Sequence, residues 1–239
     1  MRLLNVRSRQ LEELFGSQIP KYAILSHTWG EEEITFSDIH ILSAQAKVGY
    51  IKIQNACSQA TRDGYDYIWI DTCCIDKRSS SELSEAINSM FHWYREAEVC
   101  YAYLEDVPTP EFGEYFISSR WFTRGWTLQE LIAPKQVVFF GKPWGRLGTK
   151  VSLADVVMNA TGINKKTLLD PQYLGRNSVA QRMSWASNRN TTRVEDMAYS
   201  LLGIFGLNMT VLYGEGMNAF VRLQEEIMKS SDDQSLFAW

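Results

Sequence analysis

The sequence predicts an α/β fold: a doubly wound, parallel sheet followed by a helical extension. Two observations carry this. Four short apolar runs, rich in β-branched and aromatic residues, stand at 22–26 (YAILS), 67–71 (YIWID), 99–104 (VCYAYL) and 136–140 (QVVFF). Segments with a helical apolar period separate them, and after Trp144 the helical period takes over.

The runs are nearly continuous rather than alternating, which suits strands buried on both faces. Between the first two, Ile53, Ala56, Cys57 and Ala60 fall on one helical face, and Gly64 can end that helix. Leu83, Ile87, Met90, Phe91 and Tyr94 make a second stripe, introduced by the S-x-x-E capping signal of Ser79 and Glu82. A short third helix fits 127–132, stopped by Pro134. Alternation of this kind implies right-handed crossovers. Segments 153–160, 179–188, 194–205 and 217–229 then read as helices. The expected division is an α/β core over 1–145 and a helical extension over 146–239 of the same domain. There is no internal repeat, and the apolar end SLFAW (235–239) reads as the edge of a domain cut from something longer.

The 239 residues suffice for one large domain with a core of normal size. A net charge of −4 argues against a phosphate-coating, nucleic-acid-binding role. Arg120, Arg124, Arg182, Arg189 and Arg193 still leave room for a local basic pocket. The N-terminal segment is broken by Arg2, Arg7, Arg9, Glu12 and Glu13, unlike a signal peptide. No apolar run approaches the ~18 residues of a membrane helix. Cys57, Cys73, Cys74 and Cys100 form no C-x-x-C pair, which reads as reduced thiols in the cytoplasm.

Ligands of open α/β sheets bind beyond the carboxyl ends of the strands. Polar residues gather there. The first run leads into Ser26, His27, Thr28 and Trp29, and the second into Asp71, Cys73 and Asp76. Trp126 and Glu130 are one helical turn apart, so an aromatic ring and a carboxylate share a face. Glu130 lies in the apolar stretch 128–132, where a carboxylate must find partners. Arg120 and Arg124 would serve as structural partners for it.

The blocks YAILSHTWG (22–30), WIDTCCIDK (69–77), EAINSMFHWYREAEVCYAYL (85–104) and SRWFTRGWTLQELIAP (119–134) resemble the successive motifs of the heterokaryon incompatibility (HET) domain. The resemblance continues through 182–216 and 222–239. It implies a cell-death effector of fungal non-self recognition, carried on NLR-type receptor modules and activated by self-association. The HET family is in turn similar to Toll/interleukin-1 receptor (TIR) domains, which implies a flavodoxin-like sheet. The block at 119–131 looks like the TIR helix that carries a catalytic glutamate. By that likeness Glu130 takes the catalytic place and Trp126 the tryptophan before it, with NAD+ as the nucleotide substrate and neither cofactor nor metal required. Where TIR domains carry an aromatic and an arginine after the serine, this chain has His27, Thr28 and Trp29.

The expected reaction is glycosidic cleavage of NAD+ or a related nucleotide. Glu130 faces the developing oxocarbenium ion, Trp126 packs on ring or sugar, and His27 and Arg124 serve the pyrophosphate. Ser26, Thr28, Trp29, Asp71, Cys73 and Asp76 complete the expected binding set. Two alternatives stand beside it. One is a non-enzymatic, TIR-like scaffold that recruits a death partner. The other is a cysteine hydrolase built on Cys73 and Cys74 with His27. Adjacent cysteines suit a closed tetrahedral zinc site poorly.

Overall fold

The structure, a computed structural model, describes residues 1–109 and 113–238. Its seven strands are β1 (Arg2–Asn5), β2 (Leu11–Glu13), β3 (Ala23–His27), β4 (Tyr67–Trp69), β5 (Val99–Pro108), β6 (Val137–Lys142) and β7 (Gly145–Thr149). They form one mixed sheet in the order β2-β1-β4-β3-β5-β6-β7. The four central strands are parallel and coincide with the four apolar runs. β1, β2 and β7 add antiparallel edges. The sequence does not announce these edges. β2 has three residues, two of them glutamates, and β7 follows a turn at Pro143 and Trp144. β7 also runs past position 145, so the sheet continues beyond the expected core boundary.

Ten helices surround the sheet among the described residues. The first four are α1 (Val48–Arg62), α2 (Ser80–Glu96), α3 (Gly113–Ile117) and α4 (Thr127–Ile132). The tail supplies α5 (Ala154–Thr161), α6 (Lys165–Leu169), α7 (Val179–Ser184), α8 (Asp196–Tyr199), α9 (Leu202–Phe205) and α10 (Asn218–Ser230). Ser79 caps α2 by accepting from the Glu82 N–H, as the S-x-x-E signal predicts. The expected helix at 179–188 stops at Ser184, and that at 194–205 divides into α8 and α9. At Gly203 a Cβ would lie 2.1 Å from the Phe91 Cβ, so α9 meets α2 at backbone distance.

No helix among the described residues is long and apolar enough to cross a membrane. Trp239, the last residue of the final resemblance block, lies outside the described residues.

Strand order reverses between β3 and β5, whose connections leave in opposite directions. At such a switch point the loops part and leave a crevice. Side chains of β3 alternate across the sheet there. Ser26 meets Trp121 and Glu130 on the α4 side, and His27 faces Glu33 on the side of α1, whose Lys52 pairs with that glutamate.

Candidate functional site

Two polar networks flank the end of β3. The first is buried. The Ser26 hydroxyl donates to Glu130 Oε2 at 2.5 Å and accepts from the Trp121 indole N–H at 2.8 Å. A residue at a strand end thus holds a residue 104 positions later in α4. Glu130 is 8% exposed and forms no ion pair among the described residues. Burial pushes its carboxyl from 4.5 up to about 8, and the Asp71 charge adds to this. The Ser26 hydrogen bond, the nearby Tyr94 hydroxyl and the charge of Arg124 pull it partly back. A carboxyl in this state is a candidate for chemistry, because a purely structural acid would ordinarily be paired.

The tail closes this network. Asn190 and the segment before α4 exchange backbone hydrogen bonds, Gly125 N to Asn190 O at 2.9 Å and Asn190 N to Thr123 O at 2.7 Å. A Cβ on Gly125 would stand 2.5 Å from the Thr191 Cγ2, so a larger residue here requires that side chain to shift. Arg189 comes with it. Its guanidinium donates to Thr127 Oγ1 and to the Arg124 carbonyl, both at 2.9 Å, while Nη2 has no partner. Burial lowers the Arg189 pKa to about 10, against the opposing charge of Glu130. Asp196 of α8 accepts from Tyr213 at 2.9 Å, with Trp126 close by. Burial raises its carboxyl nonetheless.

The second network lies around Asp71. Its carboxylate accepts from the Trp29 indole N–H at 2.8 Å, and His27 Nε2 stands 3.1 Å away. Lys77 lies 3.8 Å from it and 3.4 Å from the centre of the Trp29 ring. Burial alone would raise Asp71, but Lys77, His27 and Trp29 outweigh it and hold the carboxyl below the usual range. His27 Nδ1 sits 3.3 Å from the Thr28 carbonyl, which also accepts from Lys52.

The structure therefore joins Ser26 to Glu130 and gathers His27, Thr28, Trp29 and Asp71 beside them. Trp126 and Arg124 border the first network, half-buried, with Arg124 donating to Thr192 at 3.2 Å. Asp76 goes elsewhere: it pairs with Arg78 at 2.9 Å in the turn before α2. Cys73 is fully buried. The Cys74 neighbour and burial push its thiol up, and no hydrogen bond joins it to His27 among the described residues. A thiol in that state is a poor nucleophile. Sequence reasoning did not single out Trp121, Tyr94 or Asp196, and placed Arg189 only within a basic stretch. The glycine of RGW was the available signal that the Thr191 side chain comes close at position 125.

A cleft of about 900 Å³ opens on the α1 side beyond β3 and β5. Trp29, Glu33, Lys52 and Tyr103 line it, and Glu130 does not. Among the described residues no cluster of histidine, cysteine and carboxylates could hold a metal.

Residues 22–113 match the family described as heterokaryon incompatibility protein (HET), and residues 218–239 match a domain of unknown function. Over 232 residues the chain is 50% identical to vegetative incompatibility protein HET-E-1 of Podospora anserina. That match covers 92% of this chain and 17% of the relative, so the chain spans about a sixth of that protein's length. No solved structure matches the chain. The family match takes in Ser26, His27 and Asp71 and ends before Glu130. On the HET match and the half-identity that extends it along the chain, this protein belongs to the heterokaryon incompatibility family.

Proposed function

We propose that the chain is a cell-death effector domain of fungal non-self recognition, acting in the cytoplasm by cleaving the glycosidic bond of NAD+ or a related nucleotide. Self-association, driven by NLR-type receptor modules, switches it on. The family membership supports the biological role. The parallel strand order β4-β3-β5-β6 supports a flavodoxin-like, TIR-like reading of the sheet. One observation carries the chemistry: Glu130, the residue placed by the TIR likeness, is a buried carboxyl without a counter-ion, held by Ser26 of the first motif block.

In this reading the nicotinamide–ribose bond breaks with its electron pair leaving on nicotinamide. A water oxygen then bonds to the ribose carbon and sheds a proton to solvent. Only the carboxylate form of Glu130 stabilises the positive charge that builds on the ribose. With its pKa at about 8, the resting carboxyl is mostly protonated at neutral pH. A cationic nicotinamide ring, or Arg189 turned toward it, would ionise Glu130 on binding. Trp126 and Arg124 supply a stacking surface and a cation at the same margin.

The test is NAD+ content in cells expressing the chain fused to an inducible oligomeriser, beside Glu130→Gln. Loss of NAD+ before loss of viability, in the wild type alone, supports the mechanism. Death with NAD+ intact rejects it.

A second reading, the non-enzymatic scaffold, is favoured by one observation. Met217, Val221 and Met228 on and before α10, with Val194 and Met197 nearby in the tail, are exposed apolar side chains. Such a surface could recruit a death partner. It predicts that Val221→Asp with Met228→Asp abolishes killing while Glu130→Gln does not.

A further inference from the structure

We propose that the cleft on the α1 side of the sheet binds a small organic polycation, in chemical class an alkyl polyamine. Its charge is the first argument. Five carboxylates line it: Glu31, Glu32, Glu33, Glu105 and Asp106. Three cations answer them, and two are already engaged. Lys52 pairs with Glu33 at 2.6 Å, and Arg120 stands 3.7 Å from Asp106. Glu32 accepts the Val48 N–H at the start of α1. Glu31 and Glu105 make no hydrogen bond or ion pair among the described residues, and Lys142 alone opposes them.

The second argument is Glu33. Its side chain is only 9% exposed, and Oε1 accepts from both Lys52 and the Gly30 N–H at 2.6 Å. Oε2 has no hydrogen-bond partner among the described residues. A buried carboxylate oxygen without a donor is costly, and an ammonium entering the cleft supplies one. The third argument is the spacing of apolar surface. Val48 and Ile51 of α1 and Tyr103 line the same cleft as the carboxylates, and methylene segments of an alkyl amine cover such walls while its charges reach the acids. The surplus of carboxylates repels a phosphate-bearing ligand by the same arithmetic.

The inference does not depend on chemistry at Glu130. Isothermal titration of the chain with spermidine is expected to give saturable binding that weakens with added salt. Glu105→Gln, at a half-exposed position, should weaken it about tenfold. Glu33→Gln should abolish it, with circular dichroism checking that the fold survives beside the bereaved Lys52. Glu130→Gln should bind spermidine as the wild type does. The proposal is overturned if spermidine gives no saturable heat, if Glu105→Gln has no effect, or if Mg2+ displaces spermidine at equal concentration. It is equally overturned if ADP-ribose competes for the cleft, or if a lysine-containing peptide binds more tightly than spermidine.

Discussion

Between pH 4.5 and about 8 the folded chain keeps a proton on Glu130 that the unfolded chain has released. The folded state therefore binds more protons across that window, and stability falls as pH rises through it. Glu130→Gln removes this titration, so the drop in denaturant midpoint between about pH 5 and about pH 8 should be smaller in the variant than in the wild type. The same ionisation gives activity the opposite slope, rising with pH toward 8 if the carboxylate is the working form. Ser26→Ala tests the link between the blocks. It strips Glu130 of a hydrogen bond that lowers its pKa, so the stability slope should extend to higher pH. It also leaves the buried Trp121 indole N–H without its acceptor, at a cost of about 1–3 kcal/mol in unfolding free energy. Glu130 was legible in the sequence because a carboxylate in an apolar stretch demands an explanation. Tyr94 was not, since its position in an apolar stripe is equally that of an ordinary core residue. Asp76 looked like a strand-end ligand and is a turn residue; spacing alone cannot tell which way a loop carboxylate folds.

Helix α4 is only six residues long, and all six are buried. So short a helix gains little from its own hydrogen bonds and must be fixed from outside. Lys150 does this at its C-terminal end, donating to the Leu131 carbonyl at 3.1 Å and the Pro134 carbonyl at 2.5 Å from a buried position. The cation also complements the negative end of the helix dipole. Lys150→Met should cost about 1–3 kcal/mol by thermal or denaturant unfolding, because both carbonyls lose their donor. The helices α1 and α2 and the four central strands could be read from periodicity because each buries a regular stripe or a continuous run. The tail could not be read as finely, since α8 and α9 are four residues each, too short to carry a helical period. Gly203→Ala puts a methyl into Phe91 and should destabilise by about 1–3 kcal/mol, with the loss read in the same unfolding assay.

At the scale of the molecule the tail and the sheet share a core. Asn88 of α2 and Met209 of the tail exchange hydrogen bonds at 2.9 and 3.0 Å, and the Gly125–Asn190 approach ties the tail to α4. Calorimetry should therefore show one cooperative transition, with calorimetric and van't Hoff enthalpies equal. The two margins of the sheet decide something else. One is β2, three residues long with Glu12 and Glu13, and the other is β7, entered through Pro143. Short, charged or proline-flanked borders offer no template on which a neighbour's backbone can zip. Growth of a polymer by continuing the sheet from copy to copy is disfavoured at these edges, which shifts any crowding of copies toward side chains on the helices and loops.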